Sequence, residues 1–164
     1  MDAFGAHSAV VVPLVAALRN SLVEEPGLSL VAVESDGRVV GHAMFTRSLV
    51  DAPARLVDVQ VLSPVGVVSD KQRRGIGKAL IRRGLDVLTE RNVPLVFLEG
   101  SPDYYQQFGF IPGRERGFRR PSLRVPEAAF QVRLLPAYEP WMTGTLVYRQ
   151  AFWDHDAVGL RNGA

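Results

Sequence analysis

The stretch VVSDKQRRGIGKALIRRG, residues 67–84, runs from a β-branched segment through charge and two glycines into an amphipathic repeat. In that repeat Leu80, Ile81, Gly84, Leu85 and Leu88 recur at helical spacing, while Arg82, Arg83, Asp86 and Glu90 fall on the opposite side. The pattern predicts a strand ending near Ser69 and a helix starting near Gly75. The amides from Arg73 to Lys78 then form a helix N-terminus, whose first N–H groups have no acceptor within the helix. Such donors, backed by the helix dipole, bind phosphate. Gly75 and Gly77 carry no Cβ, so a diphosphate can come down onto the backbone itself. Arg73, Arg74 and Lys78 add positive charge around the same anion.

Working outward, the 164 residues suffice for one core of ordinary size, and the chain is expected to form a single domain over 1–164. The sequence has no cysteine, which excludes a thiolate nucleophile, a disulfide framework and a cysteine-bound zinc site. No signal-peptide pattern is recognised at the N-terminus and no apolar run reaches the ~18 residues of a membrane span, so a cytoplasmic protein without a membrane partner is expected. The net charge of +2 is unevenly placed. Residues 61–135 carry thirteen Lys and Arg against seven Asp and Glu, which favours an anionic ligand there. Five arginines between Arg114 and Arg124 raise nucleic acid as a rival, but no nucleic-acid-binding signature accompanies them, and a nucleic-acid partner is not expected.

The flanking segments predict a mixed sheet with helices on its faces. Pro13 followed by LVAALRNSL suits a helix with proline in its first turn. Residues 28–35 and 38–48, joined by Asp36-Gly37, form a hairpin signal. Residues 60–69 read as a third strand whose Pro64 and Gly66 suggest a bulge or the close approach of a ligand. Residues 94–100 read as a buried strand, 102–107 as a short helix, 113–126 as loop, and 130–136 and 145–152 as two late strands.

Two phosphate-loop patterns fail on spacing. The dinucleotide fingerprint needs a third glycine where Leu80 stands, and the Walker loop needs Ser or Thr where Ala79 stands. The remaining pattern, Gln-x-x-Gly-x-Gly at Gln72, Gly75 and Gly77, resembles the pyrophosphate loop of the GNAT superfamily of acetyl-CoA-dependent N-acetyltransferases. Val65-Gly66-Val67 stands where that family places the strand that pairs with the pantetheine arm. Tyr105 to Phe110, YQQFGF, is similar to the family's Tyr-x-x-x-Gly-Phe signature. The likeness covers roughly residues 28–112, and the tail from Gly117 resembles a bacterial subgroup.

The resemblance implies an α/β fold with splayed parallel strands at 62–68 and 94–99, and acetyl-CoA bound between them. It implies cofactor contacts from Val65, Gly66, Val67, Gln72, Arg73, Arg74, Gly75, Ile76, Gly77 and Lys78, with no metal. It also implies Tyr105 as general acid for the coenzyme A thiolate and direct attack by an amine. Glu99 is the first candidate for general base, ahead of Asp103, Asp58 and His42, with a water chain as the alternative. Tyr104 is assigned to packing or the substrate wall. Two departures stand out: the asparagine common before the signature tyrosine is absent, and the family's first strand and helix are expected to be missing ahead of Pro13. The latter suggests a homodimer covering an exposed edge. The acceptor is expected to be a small-molecule or peptide amine, and the competing reading is a non-catalytic acyl-CoA-binding module.

Overall fold

The Asp36-Gly37 pair turns the chain as its residues require. Gly37 takes φ 88°, and the Arg38 N–H donates to Asp36 Oδ1 at 2.9 Å. In this computed structural model, which describes residues 8–24 and 27–161, the turn joins β1 (Leu28–Val33) to β2 (Val39–Asp51) with Leu28 opposite Phe45. β2 pairs in turn with β3 (Leu56–Val67), and a two-residue parallel contact links β3 to β4 (Leu95–Glu99). The order β1-β2-β3-β4-β6-β5 is completed by β5 (Ile111–Pro112) and β6 (Phe130–Leu134), while β7 (Thr145–Val147) pairs with the far end of β2.

The helix α2 (Ile76–Glu90) covers one face of this sheet. Its Leu80, Ile81, Leu85 and Leu88 pack with Ala43, Phe45, Leu62, Val96 and Leu98, as the repeat predicts. Gly84 lets the helix come close, since a Cβ there would stand 2.2 Å from Phe45 Cε2. On the opposite face α1 (Ser8–Glu24) contributes Leu14 and Leu18 to a core with Met44, Val59, Val61, Phe97 and Phe152. These two faces are called the α2 face and the α1 face below.

Three expectations are corrected. The first helix starts at Ser8, so Pro13 lies inside it rather than in its first turn. Burial of Leu14 and Leu18, one turn apart, outweighs the lost N–H of Pro13. Residues 145–152 are a strand only through Val147, after which Gln150–Asp154 forms α4. Burial of Tyr148 and Phe152, with ring centroids 4.8 Å apart, follows a turn rather than strand alternation. The loop after β5 opens with a 3₁₀ turn over Gly113–Arg116, closed by Gly117 at φ 78°. As for the expected missing elements, no strand precedes α1 among the described residues; residues 1–7 lie outside them.

The feature that shapes the site is a register shift in β3. Ala43 faces Val65 and Phe45 faces Leu62, so two residues of β2 step past three of β3. The extra residue reverses the alternation. Val57, Val59 and Val61 point to the α1 face, whereas Val65 packs on the α2 face. At the same place β3 leaves β4: only Gln60 with Val96 and Val61 with Phe97 are paired, and β4 continues to Glu99 with β6 alone. A gap therefore opens between β3 beyond Leu62 and the end of β4.

Candidate functional site

The gap opens into a cleft of about 650 Å³ on the α2 face. Its floor is Val65, Gly66 and Val67 of β3, and its far end is the connection from Lys71 to Lys78. That connection is a 3₁₀ turn, Ser69–Lys71, followed by Arg73 at φ 61° and Gly75 at φ 81°. The first bond of α2 runs from the Ala79 N–H to the Gly75 carbonyl, at 3.0 Å. The amides of Ile76, Gly77 and Lys78 precede it and are left as donors at the helix start. Gln72 Nε2 donates to the Val67 carbonyl at 3.1 Å, fastening the loop to the end of β3. Two ion pairs fasten it to the hairpin: Arg38 with Asp70 at 3.1 Å, and Lys71 with Glu34 at 2.5 Å. The Arg38 guanidinium holds the Asp70 carboxyl below the usual carboxylate range.

Of the two loop glycines, only Gly75 is required by its own backbone, because φ 81° favours glycine. A Cβ on Gly77 would meet Tyr104 Oη at 3.5 Å and Val67 Cγ2 at 3.7 Å, ordinary contacts that the fold can hold. Glycine in a helix costs about 1 kcal/mol relative to alanine. The protein's own packing therefore gives no reason for glycine at 77, whereas an anion laid on the helix-start amides does. The residues present fit a diphosphate.

Tyr105 closes the opposite wall from the short helix α3 (Pro102–Tyr105). Its ring packs against Tyr104, Phe108 and Phe110, at centroid distances of 4.9, 6.3 and 6.0 Å. Gly100 makes room for it, since a Cβ there would stand 2.5 Å from the Tyr105 ring. Burial, and secondarily Tyr104, raise the Tyr105 hydroxyl above its ordinary value, so it stays protonated at neutral pH. Of the ten residues expected to contact the cofactor, nine line this cleft together with Tyr105. Arg74 is exposed and does not line it. Lys71, which the sequence pattern does not mark, and Tyr104, expected in packing or the substrate wall, also line the cleft. The spacing of Tyr104 beside Tyr105 on α3 carries the latter signal.

Glu99 does not line the cleft. It follows Leu98, which packs on the α2 face, and stands two residues beyond Phe97 on the α1 face. Strand alternation therefore puts its side chain on the α1 face, at the lip of the gap. There it accepts a hydrogen bond from Tyr148 Oη at 2.9 Å and one from the Gly159 N–H at 3.3 Å. Burial raises the Glu99 carboxyl above its ordinary value, while Tyr148, Gly159 and Arg124 pull in the opposite direction. His42, opposite Gly66, shares a 2.9 Å hydrogen bond with Ser29, and burial lowers its proton affinity. Asp58 is paired with Arg47 toward the other end of β3, and Asp103 is exposed in the first turn of α3. Among the described residues, no cluster of His, Asp and Glu could hold a metal ion, and no helix is long and apolar enough to cross a membrane.

Comparison with known proteins gives a consistent outcome. The acetyltransferase (GNAT) domain profile matches residues 3–113. The uncharacterized N-acetyltransferase YjhQ of Escherichia coli strain K12 is 33% identical over 135 residues, 80% of this chain and 74% of YjhQ. The crystal structure of the E. coli GNAT family N-acetyltransferase YhbS in complex with CoA superposes with a TM-score of 0.79 at 27% identity, covering 92% of this chain and 80% of that one. A GNAT family acetyltransferase from Brucella melitensis in complex with acetyl-CoA gives a TM-score of 0.69 at 32% identity, covering 92% and 85%.

Proposed function

Since this chain belongs to the GNAT acetyltransferase family, we propose that it binds acetyl-CoA in the cleft on the α2 face and transfers the acetyl group directly to a primary amine. One observation carries the reading: the helix-start amides at 76–78, the Val65–Val67 backbone and the protonated Tyr105 hydroxyl converge on one cleft. The amides hold the diphosphate, with Arg73 and Lys78 adding charge. Main-chain donors on β3 polarise the acetyl carbonyl. Glu99 takes a proton from the acceptor ammonium at the gap, which frees the nitrogen lone pair for attack. As the C–N bond forms and the C–S bond breaks, Tyr105 gives its proton to sulfur, and the second proton shed by the acylated nitrogen passes through solvent to reprotonate Tyr105. The products are the N-acetylated amine, free coenzyme A and one proton.

The test has two readouts. Acetyl-CoA at a hundred times its dissociation constant should stabilise the fold by roughly 2.7 kcal/mol, seen as a rise in melting temperature. A thiol-release assay against spermidine, lysine, an aminoglycoside and a dipeptide should then identify the class of acceptor. Stabilisation without turnover of any of them would favour the non-catalytic acyl-CoA module, and no stabilisation would remove both readings. Self-association belongs to the same proposal, because β1 is an edge strand with Val31 and Val33 exposed. A monomer by light scattering at high micromolar concentration would remove that part alone. Action within the cytoplasm completes the reading.

A further inference from the structure

Tyr148 is 5% exposed, and its ring is held by Phe152, so a phenylalanine would serve the packing equally well. The hydroxyl is instead spent on Glu99 Oε1 at 2.9 Å. On the other carboxylate oxygen the donor is the Gly159 main chain. A peptide N–H can only donate, so the tail selects an acceptor at Oε2. Two donors, one on each oxygen, match an ionised carboxylate better than a carboxylic acid, which would have to turn one oxygen into a donor itself. Each oxygen keeps a further lone pair for a proton from outside.

We infer that Tyr148 is a positioning residue for acetyl transfer: its hydroxyl, with the Gly159 amide, holds the Glu99 carboxylate at the gap in the orientation and ionised form that takes the acceptor's proton. The inference rests on Glu99 being the base. The other charged group acting on Glu99 is Arg124, which approaches from the loop before β6 and is itself tied to Asp156 at 3.2 Å. Phe130 stands opposite Glu99 on β6 and brings no charge. The Tyr148 hydroxyl is pushed well above its ordinary value by burial and by the carboxylate, so it remains a donor across the working pH range. The sign follows. The hydrogen bond favours the charged form of Glu99 and lowers its proton affinity against the opposing effect of burial. Removing it must move the titration of Glu99 to higher pH.

The experiment compares wild type, Tyr148→Phe, Glu99→Gln and Gly159→Ala. With glutamate labelled at the side-chain carboxyl carbon, the NMR line that disappears in Glu99→Gln belongs to Glu99, and its midpoint can be followed without an acceptor. In Tyr148→Phe that midpoint should move upward while the melting temperature barely changes. With spermidine as acceptor, kcat/KM should fall on the order of tenfold at the acid end of the profile and less than about twofold at the alkaline end, since a hydrogen bond to a charged group is of that strength. Gly159→Ala should move the midpoint the same way, because its Cβ would meet the Arg124 main chain at 2.5 Å and displace the amide. An unmoved midpoint in Tyr148→Phe overturns the inference and makes Tyr148 an anchor, as does an equal loss of activity at every pH. Full activity of Glu99→Gln across the profile removes the base reading itself, whatever the midpoint does.

Discussion

The two faces of the sheet at the gap are built from different kinds of chain. On the α2 face the cleft comes almost entirely from Val65 to Lys78, and its donors are main-chain amides at one helix start. On the α1 face Glu99 meets partners 49 and 60 residues away, both beyond β7 and supplied by the tail. The first arrangement needs little beyond glycine, a strand end and a helix. The second exists only once the segment after β7 has packed. Under the proposed function the cofactor would rest on the local arrangement and the acceptor on the one that the tail completes, and tails change more freely than a helix start fastened to its strand.

Substitutions can break the comparison, and the largest effect is expected on the α2 face. Tyr105→Phe keeps the packing with Phe110 and Phe108 and deletes only the hydroxyl. Turnover should fall by on the order of 10² or more, with acetyl-CoA affinity and melting temperature nearly unchanged. Unchanged turnover would leave the α2 face with cofactor binding alone. Next is Gly84→Ala, whose Cβ would enter the Phe45 ring. It should lower stability by about 1–3 kcal/mol in a denaturant titration, as overpacking does. A neutral result would mean that α2 can lift away from the sheet without cost.

Gly77→Ala separates ligand from fold. The protein should be as stable as wild type, or up to about 1 kcal/mol more so. Its stabilisation by acetyl-CoA should nevertheless shrink, because the new methyl would stand where the proposed site puts the diphosphate. Equal ligand-induced shifts in both proteins would show that glycine at 77 serves the fold after all. The smallest expected effect distinguishes neighbouring arginines. Arg73 lines the cleft and Arg74 does not, so Arg73→Ala should weaken acetyl-CoA several-fold and Arg74→Ala by less than about twofold, consistent with the small worth of an exposed charge. A larger loss from Arg74 would bring its side chain into the site.

What could be read from the sequence divides along the same line. The helix face of Leu80, Ile81, Gly84, Leu85 and Leu88 is buried as its spacing predicts. Pro64 and Gly66 mark the irregular part of β3, and the glycines mark the helix start. These are local signals, carried by backbone conformations that few residue types adopt. Tyr148 and Gly159 could not be assigned to Glu99 in that way, since nothing within a window of ten residues links them. The reading of residues 145–152 as one strand also hid the turn that brings Tyr148 across. Lys71 was obscured for a different reason: its spacing looks like solvated charge, and only the fold places Glu34 beside it.

The extra residue in β3 has a consequence for how this chain tolerates change. Before it, odd-numbered valines face α1; after it, Val65 faces α2 and Gly66 looks the other way. Replacing a side chain near Ser63 alters one position, but deleting a residue there would restore even pairing with β2, leave Val65 opposite Ala43 on the same face, and remove the local bend. The strand would lose the bend at the point where it leaves β4, and the gap that opens into the cleft would narrow. Lineages of this chain should therefore vary in spelling between Leu62 and Val67 while keeping the count of letters fixed, a length constraint in a segment whose composition is free to drift.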